Sequence, residues 1–170
     1  FYVNSPICSP SRTAISTGQY PQRWRITSYL NNRKSNEKRG MAQWLDPKAP
    51  MLARSLQQAG YATGHFGKWH LGPVKKSSPT NPGNAGFDEW LSHDNFFELN
   101  PTLSHNGGDP LMIPGEGSEI IVAAATKFIT KAKRQHKPFF VVIWYGSPHE
   151  PYSGLKNDLK LYTCLLYTSD

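Results

Sequence analysis

The sequence has almost no cysteine: Cys8 and Cys164 are the only two in 170 residues. Two cysteines cannot build a disulfide framework and do not fix a redox compartment. It also has no apolar run near the roughly 20 residues that a membrane-spanning helix requires, so no transmembrane helix is expected. Acidic residues are few, 12 against 19 Lys and Arg, for a formal charge of +7. Such a balance invites a nucleic-acid reading, with "NNRKSNEKRG" (31–40) the densest basic stretch. The other basic residues are scattered and no nucleic-acid-binding motif accompanies them. The stretch is therefore read as a solvated loop, on a surface that suits a small anionic substrate. Phe1 is neither an initiator methionine nor the head of a basic-then-apolar leader, which places the expected native N-terminus upstream.

What is present reads as one globular domain: 38% hydrophobic and 12% aromatic residues can fill a core of ordinary size. Asp46 as cap, prolines in the first turn, an apolar face of Leu52, Leu56 and Ala59 and a stop at Gly60 predict a helix, and "YATGHF" continues as a strand. A second unit starts with Ser118 as cap. Its stripe is Ile120, Ile121, Ala124, Ala125, Phe128, Ile129 and Ala132, with Lys131, Lys133 and Arg134 near its negative end. After Pro138, "FFVVIWY" (139–145) is apolar at nearly every position, as in a strand covered on both faces. The fold class predicted is α/β, with a mainly parallel central sheet flanked by helices. Residues 67–117, rich in Gly, Pro, Asn and Ser, are too long for an idle connection and are expected to pack near a site. The tail "LYTCLLYTSD" (161–170) has neither cap nor period and is set apart as non-native or disordered, leaving 1–160 as the domain.

Three stretches carry chemistry. In "SPICSPSRTAISTG" (5–18), Ser9 as cap, Pro10 and Gly18 predict a helix over 10–17. Cys8 then lies just outside its N-terminus, where unpaired N–H groups favour negative charge, with Arg12 one turn on. In "GYATGHFGKWHLG" (60–72), a strand delivers Lys68 and His70 to its carboxyl edge, and Gly67 keeps the backbone small beside whatever binds. A phosphate loop is excluded because Trp69, not Ser or Thr, follows the lysine. In "YGSPHEP" (145–151), His149 follows the second strand at the same edge. Cys8, Arg12, Lys68, His70 and His149 are thus expected in one oxyanion pocket. Zinc is disfavoured by the ligand spacing and by the two cations. His65, His93, His105 and His136 read as structural or solvated.

"CSPSRTAISTG" resembles the first signature of the formylglycine-dependent sulfatases, and "GYATGHFGKWHLG" the second; "GFDEW" (86–90) and "SPHEPY" (147–152) are similar to the same family. The likeness spans most of residues 1–160. It implies an alkaline-phosphatase-like sandwich, incomplete here, and hydrolysis of sulfate esters, often on carbohydrates.

It further implies that a formylglycine-generating enzyme oxidises Cys8 to formylglycine. Arg12 would hold that group, Lys68 and His149 the sulfate oxygens, and His70 the formylglycine hydroxyls, while Ser92 is similar to a family serine near them. Calcium is the implied metal, with Cys8 after modification as a ligand; the aspartate and asparagine partners that the family places elsewhere are not found. The resemblance therefore reads as an internal fragment, not expected to turn over alone. Secretion, a periplasmic location or a lysosomal one would follow from the family. The rival readings are a phosphoryl-transfer enzyme of the same superfamily, which would carry Ser or Thr at position 8, and a non-catalytic polyanion-binding protein.

Overall fold

A computed structural model describes residues 3–150 and 152–162. Cys164 and positions 163–170 lie outside them. Among the described residues five strands form one sheet: β1 (Ala62–Lys68), β2 (Glu89–His93), β3 (Thr102–His105), β4 (Leu111–Met112) and β5 (Phe139–Trp144), in the order β4-β3-β2-β1-β5. The centre is parallel. β1 pairs with β5 from Ala62↔Phe139 to Gly67↔Trp144, and with β2 from Gly64↔Glu89 to Lys68↔His93. β3 and β4 add antiparallel at one edge, making the sheet mixed rather than parallel throughout. These two strands and β2 come from the region read in sequence as irregular. They are two to five residues long and separated by Gly- and Asn-rich turns, which is why no period showed.

The helices are α1 (Cys8–Thr17), α2 (Arg33–Lys38), α3 (Leu52–Gln58), α4 (Gly117–Arg134) and α5 (Lys156–Lys160). Helix α4 follows the predicted stripe, burying Ile121, Ala125, Phe128 and Ala132. Its cap is Glu116, whose carboxylate accepts from the Glu119 N–H (2.9 Å), and not Ser118, which lies inside the first turn. Helix α3 starts later than expected: Asp46 Oδ1 accepts from the Lys48 N–H and closes a turn of its own. Its packing face is Met51 and Ala53, while Leu52 and Ala59 are exposed.

Side chains alternate across the sheet into two apolar layers. Phe66, Val141 and Ile143 meet α4 in a cluster with Ile121, Ala125 and Phe128. Phe140, Val142 and Trp144 meet the opposite cluster, built by Ile26, Leu45, Trp69, Leu71 and Phe87 from largely irregular segments. β5 is thus covered on both faces, as expected, yet only half-buried, because β1 is its one strand partner among the described residues.

Candidate active site

Helix α1 begins at Cys8 itself, two residues earlier than predicted. Ile7 occupies the cap position and offers no side-chain bond. Ser9 is consequently no cap: it is fully buried, and its Oγ accepts from the Leu30 N–H (3.0 Å). Thr13 and Thr17 hydroxyls donate back to the carbonyls of Ser9 and Thr13, and Gly18 ends the helix at φ +67°. Cys8 is half-buried. The first-turn position keeps its side chain beside unpaired N–H groups.

β1 runs on to Lys68, past the expected end at Phe66. Its last glycine has a structural task. A Cβ on Gly67, at φ +106°, would stand 2.0 Å from the Trp144 carbonyl oxygen, so the small residue admits β5 rather than a ligand. Pairing with β2 then continues beyond the strand, with Trp69 and His70 N–H groups donating to the His93 and Asp94 carbonyls (2.9 Å each). This carries Lys68 and His70 to the edge where open parallel sheets gather ligands.

Arg12 reaches across from α1. Its Nη1 donates to the Lys68 carbonyl (3.2 Å), and its guanidinium lies 4.4 Å above the Trp144 ring. Desolvation lowers its pKa to about 10, opposed by the attraction of Cys8, so it stays cationic at neutral pH. Lys68 is 3% exposed, with Nζ 5.7 Å from the Phe96 ring centre. Its pKa is lowered by burial first and by Arg12 next, while Cys8 pulls it the other way.

His70, in the left-handed region at φ +53°, donates from Nε2 to the Leu30 carbonyl (2.9 Å). Burial drives its pKa down to about 4; the Leu30 carbonyl opposes this, and the nearby Lys68, Arg12 and His149 add to it. The imidazole is therefore neutral at pH 7, and Nδ1 has no hydrogen-bond partner among the described residues.

His149 is exposed and stacks flat on Phe96, with ring centres 4.1 Å apart. Phe96 accordingly bridges Lys68 and His149. Its only trace in the sequence was an aromatic pair inside a polar loop, and the Leu30 carbonyl left no trace there. Ser92, on β2 opposite Gly67, is fully buried and spends its Oγ 2.7 Å from His65 Nδ1; no contact with Cys8 is recorded among the described residues. His65 is structural, ringed by Trp69, Phe87 and Trp144. His93 Nδ1 accepts from the Asn95 N–H, and His105 lies 3.8 Å from Glu89. The described residues thus bring Cys8, Arg12, Lys68 and His70 into one electrostatic cluster, with His149 at its rim.

The donor set is a poor match for calcium. Among the described residues no group of three or more His, Cys, Asp or Glu side chains could hold a metal, and Cys8 is flanked by two cations. Calcium favours six to eight hard oxygens, so these residues do not make its site. Arg12 and Lys68 instead give position 8 a cationic surrounding. Among the described residues, no helix is long and apolar enough to cross a membrane.

The profile of the Sulfatase family matches residues 1–162. The ulvan-active sulfatase of Formosa agariphila is 27% identical over 161 residues, covering 92% of this chain and 29% of that protein. The N-acetylgalactosamine-6-sulfatase of Sus scrofa is 28% identical, with 89% and 32% covered. The chain therefore spans about a third of the length of these relatives. In structure it is similar to Ps i-CgsB, solved in complex with k-i-k-neocarrahexaose: TM-score 0.82 at 24% identity, over 96% of this chain and 40% of that one. That likeness is one of fold.

Proposed function

The chain belongs to the sulfatase family, and from that premise we propose that the protein containing it hydrolyses sulfate esters, carbohydrate sulfates above all, at a pocket centred on position 8. The observation that carries this reading is the pairing of Arg12 and Lys68. Two desolvated cations from separate segments both couple to Cys8, and no carboxylate among the described residues acts on either. Such an arrangement stabilises negative charge developing at one spot far better than water does.

A formylglycine-generating enzyme, with an external oxidant such as dioxygen, replaces the Cys8 thiol by an aldehyde oxygen and the sulfur leaves as sulfide; hydrated, that residue supplies one hydroxyl to attack sulfur as the alcohol departs, and a second whose deprotonation expels sulfate as the aldehyde re-forms. Arg12, a permanent cation pinned between the Lys68 carbonyl and the Trp144 ring, holds the position-8 group and its charge. Lys68 donates to the sulfate oxygens, and its burial makes each such bond stronger than it would be in water. His70 orients the hydroxyls. With Nε2–H fixed on Leu30 and a pKa near 4, its Nδ1 accepts a hydrogen bond more readily than it takes a proton. His149 binds at the solvent side and hands a proton to the departing alcohol. Calcium is the metal that the family implies, and no step here runs through it. A secreted, periplasmic or lysosomal location accompanies the family reading.

The test is made on the full-length protein co-expressed with the maturing enzyme. The Cys8 peptide should lose about 18 Da by mass spectrometry, and the protein should hydrolyse 4-nitrophenyl sulfate. Cys8→Ala should cut turnover by on the order of 10⁴-fold or more, with the melting temperature held. An intact thiol together with anion binding but no turnover would instead support the polyanion-binding reading.

A further inference from the structure

Arg12 is steered by two contacts on two different strands. It stands four residues after Cys8 on α1, so the two side chains share one face of the helix, a turn apart. A guanidinium has five N–H donors. Among the described residues the one hydrogen bond recorded for it runs from Nη1 to the Lys68 carbonyl, at the end of β1, while Nε is buried without a partner. A single bond lets a planar group swing about its point of contact. The second restraint is the Trp144 ring, whose centre lies 4.4 Å from Arg12 Cζ, within the range where the negative face of an indole attracts a cation.

That ring is itself braced. Trp144 ends β5, and its carbonyl oxygen takes the space that a Cβ on Gly67 would need. Its indole stacks on Trp69, with ring centres 6.2 Å apart and planes 26° apart, and meets His65 edge-on at 5.2 Å and 81°. Both neighbours are fully buried and tied in place. Trp69 Nε1 donates to the Thr80 carbonyl (2.8 Å), and His65 Nδ1 shares a hydrogen bond with Ser92 Oγ (2.7 Å). Core filling accounts for the contacts of Trp144 with Trp69 and His65, but not for a guanidinium laid over its ring.

We propose that Trp144 is a positioning residue of the reaction: its indole face, braced by Trp69 and His65, holds the Arg12 guanidinium toward position 8. This rests on the reading of position 8 as the site of sulfate-ester cleavage. Trp144 acts through Arg12 alone. It therefore sets the charge beside the attacking group, whereas the sulfate oxygens are left to Lys68 and His149, and its effect falls on kcat rather than KM.

Trp144→Phe and Trp144→Leu are compared in the full-length protein, with Trp144→Met in place of the leucine variant should that one not fold. After maturation, turnover of 4-nitrophenyl sulfate is counted per aldehyde-bearing molecule. Leucine keeps an apolar side chain without a π face: kcat should fall by about 10-fold or more, with KM within about twofold of wild type. Phenylalanine restores a π face and should stay within about threefold of the wild-type kcat. Equal kcat in the two variants would mean that the ring only fills space, and would overturn the proposal.

A second readout needs no turnover. In protein kept as the thiol, Arg12 and a charged Cys8 attract each other, and the thiolate is the form that iodoacetamide alkylates. Alkylation of the Cys8 peptide, followed by mass spectrometry, should slow by about threefold or more in Trp144→Leu and hold in Trp144→Phe. In an Arg12→Met background the same exchange at Trp144 should change the rate by less than about 1.5-fold, because the group it positions is gone. A full Trp144→Leu effect in that background would also overturn the proposal. Hydrolysis by the wild type with equal alkylation in all three proteins sinks the Trp144 platform and leaves the sulfatase reading standing. Absent hydrolysis with alkylation in the expected order sinks that reading and keeps Trp144 as the platform of Arg12.

Discussion

The two faces of the sheet are closed by different means. On one, α4 lays a regular apolar stripe over Phe66, Val141 and Ile143, and even the backbone makes room: a Cβ on Gly64 would come within 3.1 Å of the Phe128 ring. On the other, irregular segments bring tryptophans together with buried polar groups. Thr63 donates to the Gly86 carbonyl and to Asp88, His65 meets Ser92, and Arg12 lies over Trp144. The helical face is stabilised by area removed from water. The irregular face gives up some of that to hold polar groups in fixed orientations, and the cationic cluster grows at its carboxyl edge. Stability and chemistry should therefore separate by face.

The largest effect expected from that division is on the helical face. Phe128→Ala should cost about 3–5 kcal/mol, seen as a lower denaturant midpoint in the full-length protein, while kcat per folded molecule holds. Next comes Lys68→Ala, in the cationic cluster at the carboxyl edge. Removing one donor to a developing oxyanion should slow turnover by on the order of 10²–10³-fold. Stability should hold or rise, since a desolvated cation is removed. A Phe128 variant that lost activity while fully folded, or a Lys68 variant that lost only stability, would break the comparison.

The same division decides what the sequence disclosed. The α4 stripe and the continuous β5 run were legible because a helix or a buried strand writes its period into residue types. The gathering of Cys8, Arg12, Lys68 and His70 at one edge, with His149 at the rim, was legible through residue types placed at strand and helix ends. Hidden were the pieces whose meaning depends on distant partners. Ser9 looked like a cap and serves Leu30; Gly67 looked like room for a ligand and serves Trp144; Phe96 drew no reading and lies between Lys68 and His149. β2, β3 and β4 were missed because strands this short carry too few residues for alternation to register.

The smallest effect bears on His65, a fully buried polar residue of the irregular face. It is fully buried, and its pKa falls to about 3, from burial first and from Arg12 second. With Ser92 Oγ donating to the His65 carbonyl (3.4 Å), the consistent scheme has Nδ1–H donating to that oxygen and Nε2 bare. The folded state thus keeps this ring neutral down to about pH 3, whereas the unfolded chain protonates it near pH 6.5. Stability from this group is complete above pH 6.5 and declines as pH falls toward 3, at up to about 1.4 kcal/mol per pH unit. His70, held near 4, adds in the same direction. Between pH 6.5 and 5.5, before carboxylates intervene, His65→Gln should therefore show a shallower loss of stability than wild type by about 1 kcal/mol. Equal slopes would mean that the ring already carries its proton in the folded state, and the irregular face would then tolerate charge as deep as Trp69 and Phe87, which the contrast with the α4 face forbids.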